Sequence, residues 1–551
     1  GPGVFHLDHR LAIKHNNIVL RGAGRGQTRL IFRYAMGPEG LRWASPLGDE
    51  LYGNSALTLQ ARPTGLERLA VLVGDTVVAS KARKDNPHWG NTFSLSVAVS
   101  AVLKQVPQDA RTVTLRGQAT YADGTTRELA RTLTIQRTGS DPEDYRRAPD
   151  DAAIAFCGDG RWWRSKYLNL AADGKRGDTT LTLQSVEGLQ PGDWITIQGP
   201  ATERWKKLTR NACQWGEYRR NQLRIERIDG NQITVNQPLR IEFPVIDGSR
   251  VWKIDPIRGC GIEDLSIEQT ENLWMTTVLL ATANGCWARG VEVIKCGRNP
   301  VYGYEAKNCT IADCVFDDAW FKGGGGTAYA GWEHSYDCLM TDTRTAKLRH
   351  APLVQWAASG NVIRRSTFID SDLQWHSGWT NENLFEQCTV VANTGNGAYG
   401  YGAWASPPED TAHGPNGPRN VVYNCDLQSP RTGLWMGGMN EAWMILYNRF
   451  QVGSGVGIFA KTVSFDHVIR GNVIAVKDTN APALQLATAD CVGIEFYGNT
   501  IYGGGPLVWG KPLVEKDNTR LAYQDNPPAP TPPVPSIYEW QLARRGGATP
   551  R

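Results

Sequence analysis

The sequence predicts an all-β chain: a right-handed parallel β-helix solenoid carrying an inserted immunoglobulin-like β-sandwich and a second β-rich insertion. Three observations predict it. A short segment returns every 22 to 28 residues through the second half of the chain, with one step of 37. It reads Ile-Glu-Asp-Leu265, Ala-Arg-Gly-Val291, Ile-Ala-Asp-Cys314, Ser-Tyr-Asp-Cys338, Ile-Arg-Arg-Ser366, Phe-Glu-Gln-Cys388, Val-Tyr-Asn-Cys425, Leu-Tyr-Asn-Arg449, Ile-Arg-Gly-Asn472 and Phe-Tyr-Gly-Asn499. Apolar residues recur two positions later, at Ile267, Val293, Phe316, Met340, Phe368, Val390, Leu427, Ile474 and Ile501. The units are β-branched and punctuated by Gly and Asn, so they read as strands rather than helix pairs. A fixed period of this size means one small unit stacked many times, each burying its apolar face against its neighbours.

Taken in order, residues 1–40 form the first solenoid turns. Their Gly-Ala-Gly-Arg-Gly26 run is followed by another strand rather than a helix, so it lacks the context of a phosphate loop. Residues 41–140 form the sandwich, from alternating segments such as Ala56–Gln60, Phe93–Val97 and Thr112–Thr120 separated by turn residues. It is expected to be a spacer or a wall beside the substrate groove. Residues 141–255 hold the second insertion and the return to the solenoid, whose main body spans 256–510 with the active-site groove. Residues 511–551 are a Pro-rich strap and tail, with a stiff polyproline-like stretch at 526–535.

Composition narrows the function. Of 551 residues 21% are charged and the net charge is +4, which excludes a disordered chain and a strong nucleic-acid binder. No apolar run is long enough to span a membrane. The first residues already read as a strand, so any secretion signal is expected to lie outside this chain, and a secreted or periplasmic location is expected. Eleven cysteines are an odd number, and four share the repeat column, where buried thiols explain them better than bridges. No paired Cys/His spacing points to zinc. Oligomeric state is open, because neither end offers a capping helix.

Four features carry candidate chemistry. The longest repeat step inserts residues 394–413, whose Tyr399, Trp404 and His413 are candidate substrate contacts, with Trp435 a turn further on. Asp318, Asp342 and Asp370 occupy one position of three successive turns, where a bend turning them outward would make an acidic column for a cation or for acid–base work. The stretch Asp370-Ser-Asp-Leu-Gln-Trp-His376 places Asp370, Asp372, Gln374 and His376 on one face of an extended segment, roughly 6.5–7 Å apart in succession. Two carboxylates so placed suit an inverting glycosidase, or calcium ligation with Glu382. Trp375 and Trp379 interleave with them as substrate contacts. One turn below lie Arg344, Lys347, Arg349 and His350: cations to neutralise a uronate carboxyl group, and a Lys or His to abstract the proton beside it.

At the level of its repeats, over residues 1–40 and 256–510, the chain resembles the pectate lyase-like superfamily of right-handed parallel β-helix proteins. The segments Arg349-His-Ala-Pro352 and Gln374-Trp-His-Ser-Gly-Trp379 look like signature stretches. The resemblance implies carbohydrate-active chemistry, by β-elimination on uronates or by hydrolysis. The departures are plain: Asp317-Asp318 is the one match to the polygalacturonase motif set, Gly-His-Gly is absent, and Phe465-Asp-His467 only partly echoes the pectate lyase strand. The alginate lyase and chondroitinase B arrangement of Lys, Arg and an acid-held Ca2+ is matched by role through Lys347, Arg349, Asp370, Asp372 and Glu382. The leading expectation is a polysaccharide lyase acting on a uronate-containing glycan. An inverting hydrolase using Asp370 and Asp372 and a non-catalytic glycan binder of the adhesin or tailspike kind are the alternatives.

Overall fold

Short apolar strands joined by corner residues with positive φ decide the architecture. Asp313, Asp342, Arg365, Gln387, Asn424 and Tyr447 all have φ between 44° and 54°, each at the corner between two strands of a turn. A residue in this region turns the chain without a loop, so each repeat lays down three short strands and stacks on the turn before it. The structure is a computed structural model, and the described residues are 1–7, 10–33, 36, 39–46, 48–83, 92–139, 152–160, 166–210, 218–272, 274–323, 326–395, 398–405 and 413–545.

The solenoid is made of a 23-stranded and a 12-stranded sheet facing across one core, with a three-stranded sheet on part of the third side. Every solenoid pairing is parallel, as in Leu373–Trp375 beside His350–Gln355 and Ala403–Ala405. Parity sorts the side chains: Leu373 and Trp375 enter the core while Gln374 between them faces out. Gly3–Leu7 pairs with Thr28–Phe32, which with Val19–Arg21 docks on Gly261–Gln269, so between residues 33 and 256 the chain leaves the solenoid, rejoins it for one rung and leaves again. Ala152–Cys157 fills the rung between Leu11–Ile13 and Thr276–Ala281.

Between Leu41 and Gln136 the chain forms a three-stranded and a five-stranded sheet that share one apolar cluster. They approach closely at Gly117, where a Cβ atom would stand 2.5 Å from Leu59 Cδ1. Leu168–Ile254 contributes a six-stranded sheet with its own core. Polar contacts tie it to the solenoid: Arg220 to Glu305 at 2.8 Å, both buried, and Arg240 to Glu382 at 2.8 Å and to Asp337. Solenoid strands continue through Val514–Lys516 and Thr519–Leu521. The chain then runs back across the outer wall, where Tyr423 donates to Val534 O at 2.5 Å and Arg449 to Pro527 O at 3.0 Å. A helix, Ile537–Arg544, docks there with Ser536 Oγ and Ile537 N both donating to the buried Glu386 carboxylate.

The register corrects the repeat alignment at two points. After Cys314 the column continues to Thr343, not Cys338, and after Cys425 to Asn448, not Arg449. Each turn carries two corner columns, and the sequence alignment passed from one to the other at Cys338. Cys260, Cys286, Cys309 and Cys338 stack in one column; Cys314, Cys388 and Cys425 belong to the other. The ten described cysteines are all unbridged. The acidic column dissolves with the shift. The rung neighbours of Asp318 and Asp370 meet at Lys347, and Asp342 stands at a different corner, bonded to Arg365 at 2.6 Å.

Candidate functional site

Strand parity on the 12-stranded sheet builds the site. Asp372, Gln374 and His376 follow one another on the outward side of one turn, and His350 and Tyr329 occupy the two rungs below. His350 is buried, and its Nδ1 lies 2.9 and 3.1 Å from the two carboxyl oxygens of Asp372. Its ring is wedged between Tyr329 at 5.3 Å and Trp404 at 5.4 Å. Tyr329 Oη lies 3.2 Å from Nε2 of His376 and accepts from Arg349 at 3.4 Å. His413, brought in by the long inserted loop, stands edge-on to His376 with centroids 4.3 Å apart. Trp356 stacks behind His413 and contacts Tyr218 of the six-stranded module, which stacks in turn on Trp205.

Electrostatics follow from this dryness. Burial drives the pKa values of His350 and His376 well below the ordinary imidazole value; Arg349 and His413 reinforce both shifts. His413 is lowered to about 4, chiefly by burial. Burial raises the Asp372 carboxyl well above its usual range, against the pull of Arg349. Tyr329 is pushed up to about 12 by burial and so keeps its proton. The directions for Asp372 and His350 agree: each is disfavoured as an ion, and the imidazole is neutral.

Several polar atoms here are buried yet have no hydrogen-bond partner among the described residues: His350 Nε2, His376 Nδ1, Gln355 Oε1, both amide atoms of Gln374 and the indole nitrogens of Trp404 and Trp435. Orphaned groups carry a desolvation cost unless something bonds them.

The residues singled out from sequence separate into three groups. His350, Asp372, His376, Arg349, Trp404 and His413 come together here, with Tyr399 and Trp435 adjoining through ring contacts: Tyr399 to Trp404 at 4.8 Å, and Tyr401 stacked on Trp435 at 4.8 Å. A second group is directed elsewhere. Trp375 lies inside the solenoid against Phe385 and Trp443, because its parity is opposite to that of Gln374. Asp370 sits at a corner with φ 58°, accepting from Asn393 at 2.6 Å, so it does not share the face of Asp372. Arg344 is exposed on the other sheet, and Lys347 turns at its own corner to pair with Asp317 at 3.2 Å. Trp379, also at a positive-φ position, packs edge-on against Trp205 and acts as wall.

The third group is the expected metal set, and it does not fit calcium. Asp318 is bonded by Lys322 at 2.6 Å and Lys295 at 3.3 Å, Asp342 by Arg365, and Glu382 by Arg240 and Arg419 at 2.8 and 2.9 Å. Carboxylates already neutralised by cations on separate corners do not converge on an ion. Among the described residues no group of three or more His, Cys, Asp or Glu is arranged to hold one.

Tyr329 is the residue that the sequence reading passed over. Its signal was present: it stands one turn before His350, but a glycine-rich run at 323–326 separates it from its repeat and hides the register.

No protein-family model and no curated protein matches this chain. Among solved structures it is similar to the tailspike protein gp49 from Pseudomonas phage LKA1, with 12% identity and a TM-score of 0.48 over 71% of this chain and 69% of that one. It is similar also to the tailspike gp61 of Pseudomonas phage phi297, with 12% identity and a TM-score of 0.45 over 66% of this chain, spanning 62% of that chain's length. An alginate lyase from Paenibacillus sp. str. FPU-7 shares 14% identity and a TM-score of 0.32, with 49% of this chain covering 90% of that one.

Proposed function

We propose that this protein is a glycan-cleaving enzyme, and that it cleaves uronate-containing polysaccharide by β-elimination. The observation that supports the reading is the neutral, buried His350, anchored through Nδ1 by Asp372 with Nε2 buried and unbonded, beside a protonated Tyr329 and the guanidinium of Arg349. Elimination requires three functions, and each has a residue suited to it. Arg349 offsets the uronate carboxylate, which makes the C5 proton easier to remove. The base form requires Asp372 as the carboxylate that accepts from Nδ1, an ion that Arg349 favours against the burial opposing it, and His350 then takes the C5 proton on Nε2. The C5 electron pair forms the C4=C5 double bond as the C4–O4 bond breaks, and Tyr329 protonates the departing oxygen. The resulting tyrosinate is reprotonated through His376, which is within hydrogen-bond distance. A polymer of this kind is met outside the cell, so an extracellular site of action follows from the same proposal.

Paired-aspartate hydrolysis is disfavoured by geometry. It needs two carboxyl groups open to the scissile bond and to water, whereas Asp370 bonds Asn393 away from the face and Asp372 gives both oxygens to His350.

The test is incubation with alginate, polygalacturonate, hyaluronan and dextran, read for ultraviolet absorbance of a C4=C5 unsaturated uronate and for new reducing ends. Matched gains in both signals on an acidic polymer are expected. Reducing ends without absorbance would replace elimination by hydrolysis, and intact polymer that is nonetheless retained by the protein would leave a binding function alone.

A further inference from the structure

The outward column that carries Gln374 does not stop at the reaction centre. It continues in register through Trp404, Trp435, Phe459, Gln485 and Trp509, one residue on each successive strand of the 12-stranded sheet. The inward neighbours on these strands are aliphatic or small core residues, so the alternation displays a ring outward on four of the five rungs. Trp404 and Phe459 are 4% and 9% exposed, Phe459 stands edge-on to Trp435 at 4.7 Å, Tyr401 stacks on Trp435, and Trp509 is 43% exposed. Rungs about 4.8 Å apart give this track a length of roughly 19 Å from Trp404 to Trp509.

Two further observations show what it takes. The rings are accompanied by hydrogen-bonding groups without partners: Gln374 is fully buried with both amide atoms unbonded, and the indole nitrogens of Trp404 and Trp435 are buried and unbonded. A purely apolar partner would leave these atoms unsatisfied. Sugars match such a surface, because they present an apolar C–H face to a ring and hydroxyl groups around their edge. Cations adjoin it as well. Arg431 is exposed and near the Tyr401 hydroxyl, which burial raises while Arg431 pulls it down, and Lys461 directly follows the strand Ile458–Ala460.

We infer that this track is an extended binding site for an anionic glycan chain, which lies parallel to the solenoid axis with several sugar units held on the higher-numbered side of the bond to be cleaved. The inference rests on the glycan reading of the site and adds to it a direction and a dependence on chain length. Bound there, a long chain gains affinity unit by unit as it reaches Trp435, Phe459 and Trp509, while a short one gains only what Arg349, Gln374 and Trp404 supply.

The test uses size-defined oligomers of mannuronate, galacturonate and hyaluronan, with dextran oligomers as the uncharged control. Dissociation constants are measured by calorimetry on His350→Ala, which holds substrate without turnover. Phe459→Ala and Trp509→Ala are then made in that background and in the wild-type protein. Affinity for one acidic series is expected to rise with length, and each truncation to cost roughly 3- to 10-fold on the longest oligomers. In the active protein the ratio of kcat/KM on long chains to that on the shortest cleaved oligomer falls in parallel. Unchanged length dependence in both variants, with cleavage intact, would overturn the track and leave the reaction standing. Length-dependent binding that the variants abolish, in a wild-type protein that cleaves nothing, would retain the track and overturn the elimination reaction. Binding of none of the acidic series, or equal binding of dextran, would overturn the inference itself.

Discussion

Nδ1 of His350 has one partner, Asp372, and that contact decides which nitrogen is available for chemistry. Replacing Asp372 by Asn puts an amide donor where the carboxylate accepted, which favours the tautomer with the proton on Nε2 and removes the base. The expected result for Asp372→Asn is a loss of roughly 10²–10⁴-fold in kcat with the melting temperature almost unchanged, measured by initial rates and calorimetry; an equally active variant would take Asp372 out of the mechanism. Tyr329→Phe keeps the ring packing on His350 and deletes only the hydroxyl, so turnover falls while binding of the His350→Ala kind of inactive complex is retained. The pH dependence follows from the directions of the shifts. His350 loses its basicity only when pH falls well below 6.5, and Tyr329 loses its proton only towards about 12. The kcat profile is therefore expected to show no limb from His350 or Tyr329 near neutrality; an acid limb there would report ionisation of Asp372, whose carboxyl burial raises well above its usual range.

Between the corners, polar ladders hold the turns in register. Asn472 Oδ1 accepts from the main-chain and side-chain nitrogens of Asn448, while its own amide donates to Ile445 O at 2.8 Å and to Asn499 at 3.0 Å. Deleting that amide strands several buried groups, so Asn472→Ala is expected to cost about 2–4 kcal/mol in denaturant unfolding. In the other column His467 accepts the Trp443 main-chain N–H through Nδ1 at 3.0 Å and is lowered to about 3 by burial. The folded value lies below the unfolded one of 6.5, so the unfolded chain binds the extra proton. The stability from this residue is full above 6.5 and is lost as pH falls towards 3, by about 1.4 kcal/mol per pH unit. His467→Asn supplies an acceptor that does not titrate, and the acid slope of stability should be shallower in that variant by this amount.

Across the whole molecule, each solenoid turn is supported only by its neighbours, and features that bridge several turns set the resistance to unzipping. The segment 526–545 is such a bridge. It reaches the turns of Arg364, Glu386, Tyr423 and Arg449, which carry on their opposite side the strands of the candidate site. Its removal exposes the buried Arg364–Glu386 pair without Ser536 and Ile537. A chain ending at residue 525 is expected to melt several degrees lower and to be cut by protease near residues 364–449 before elsewhere; unchanged melting would mean that the strap is only laid on the surface.

Period and composition alone determined the solenoid, because a stacked unit must repeat its apolar positions to bury them, and that repetition is visible in one dimension. Alternation likewise placed Asp372, Gln374 and His376 together, since side chains two apart on a strand share a face. Tertiary structure alone decided which neighbouring turn stands beside them. A solenoid of unequal turns admits more than one alignment of its corners, and passing from one corner column to the other at Cys338 was enough to assemble an acidic column that the register does not contain. It also decided the electrostatics of the site: the packing of Tyr329, His350, Trp404 and His413 buries these groups, and burial lowers the imidazoles and raises the tyrosine.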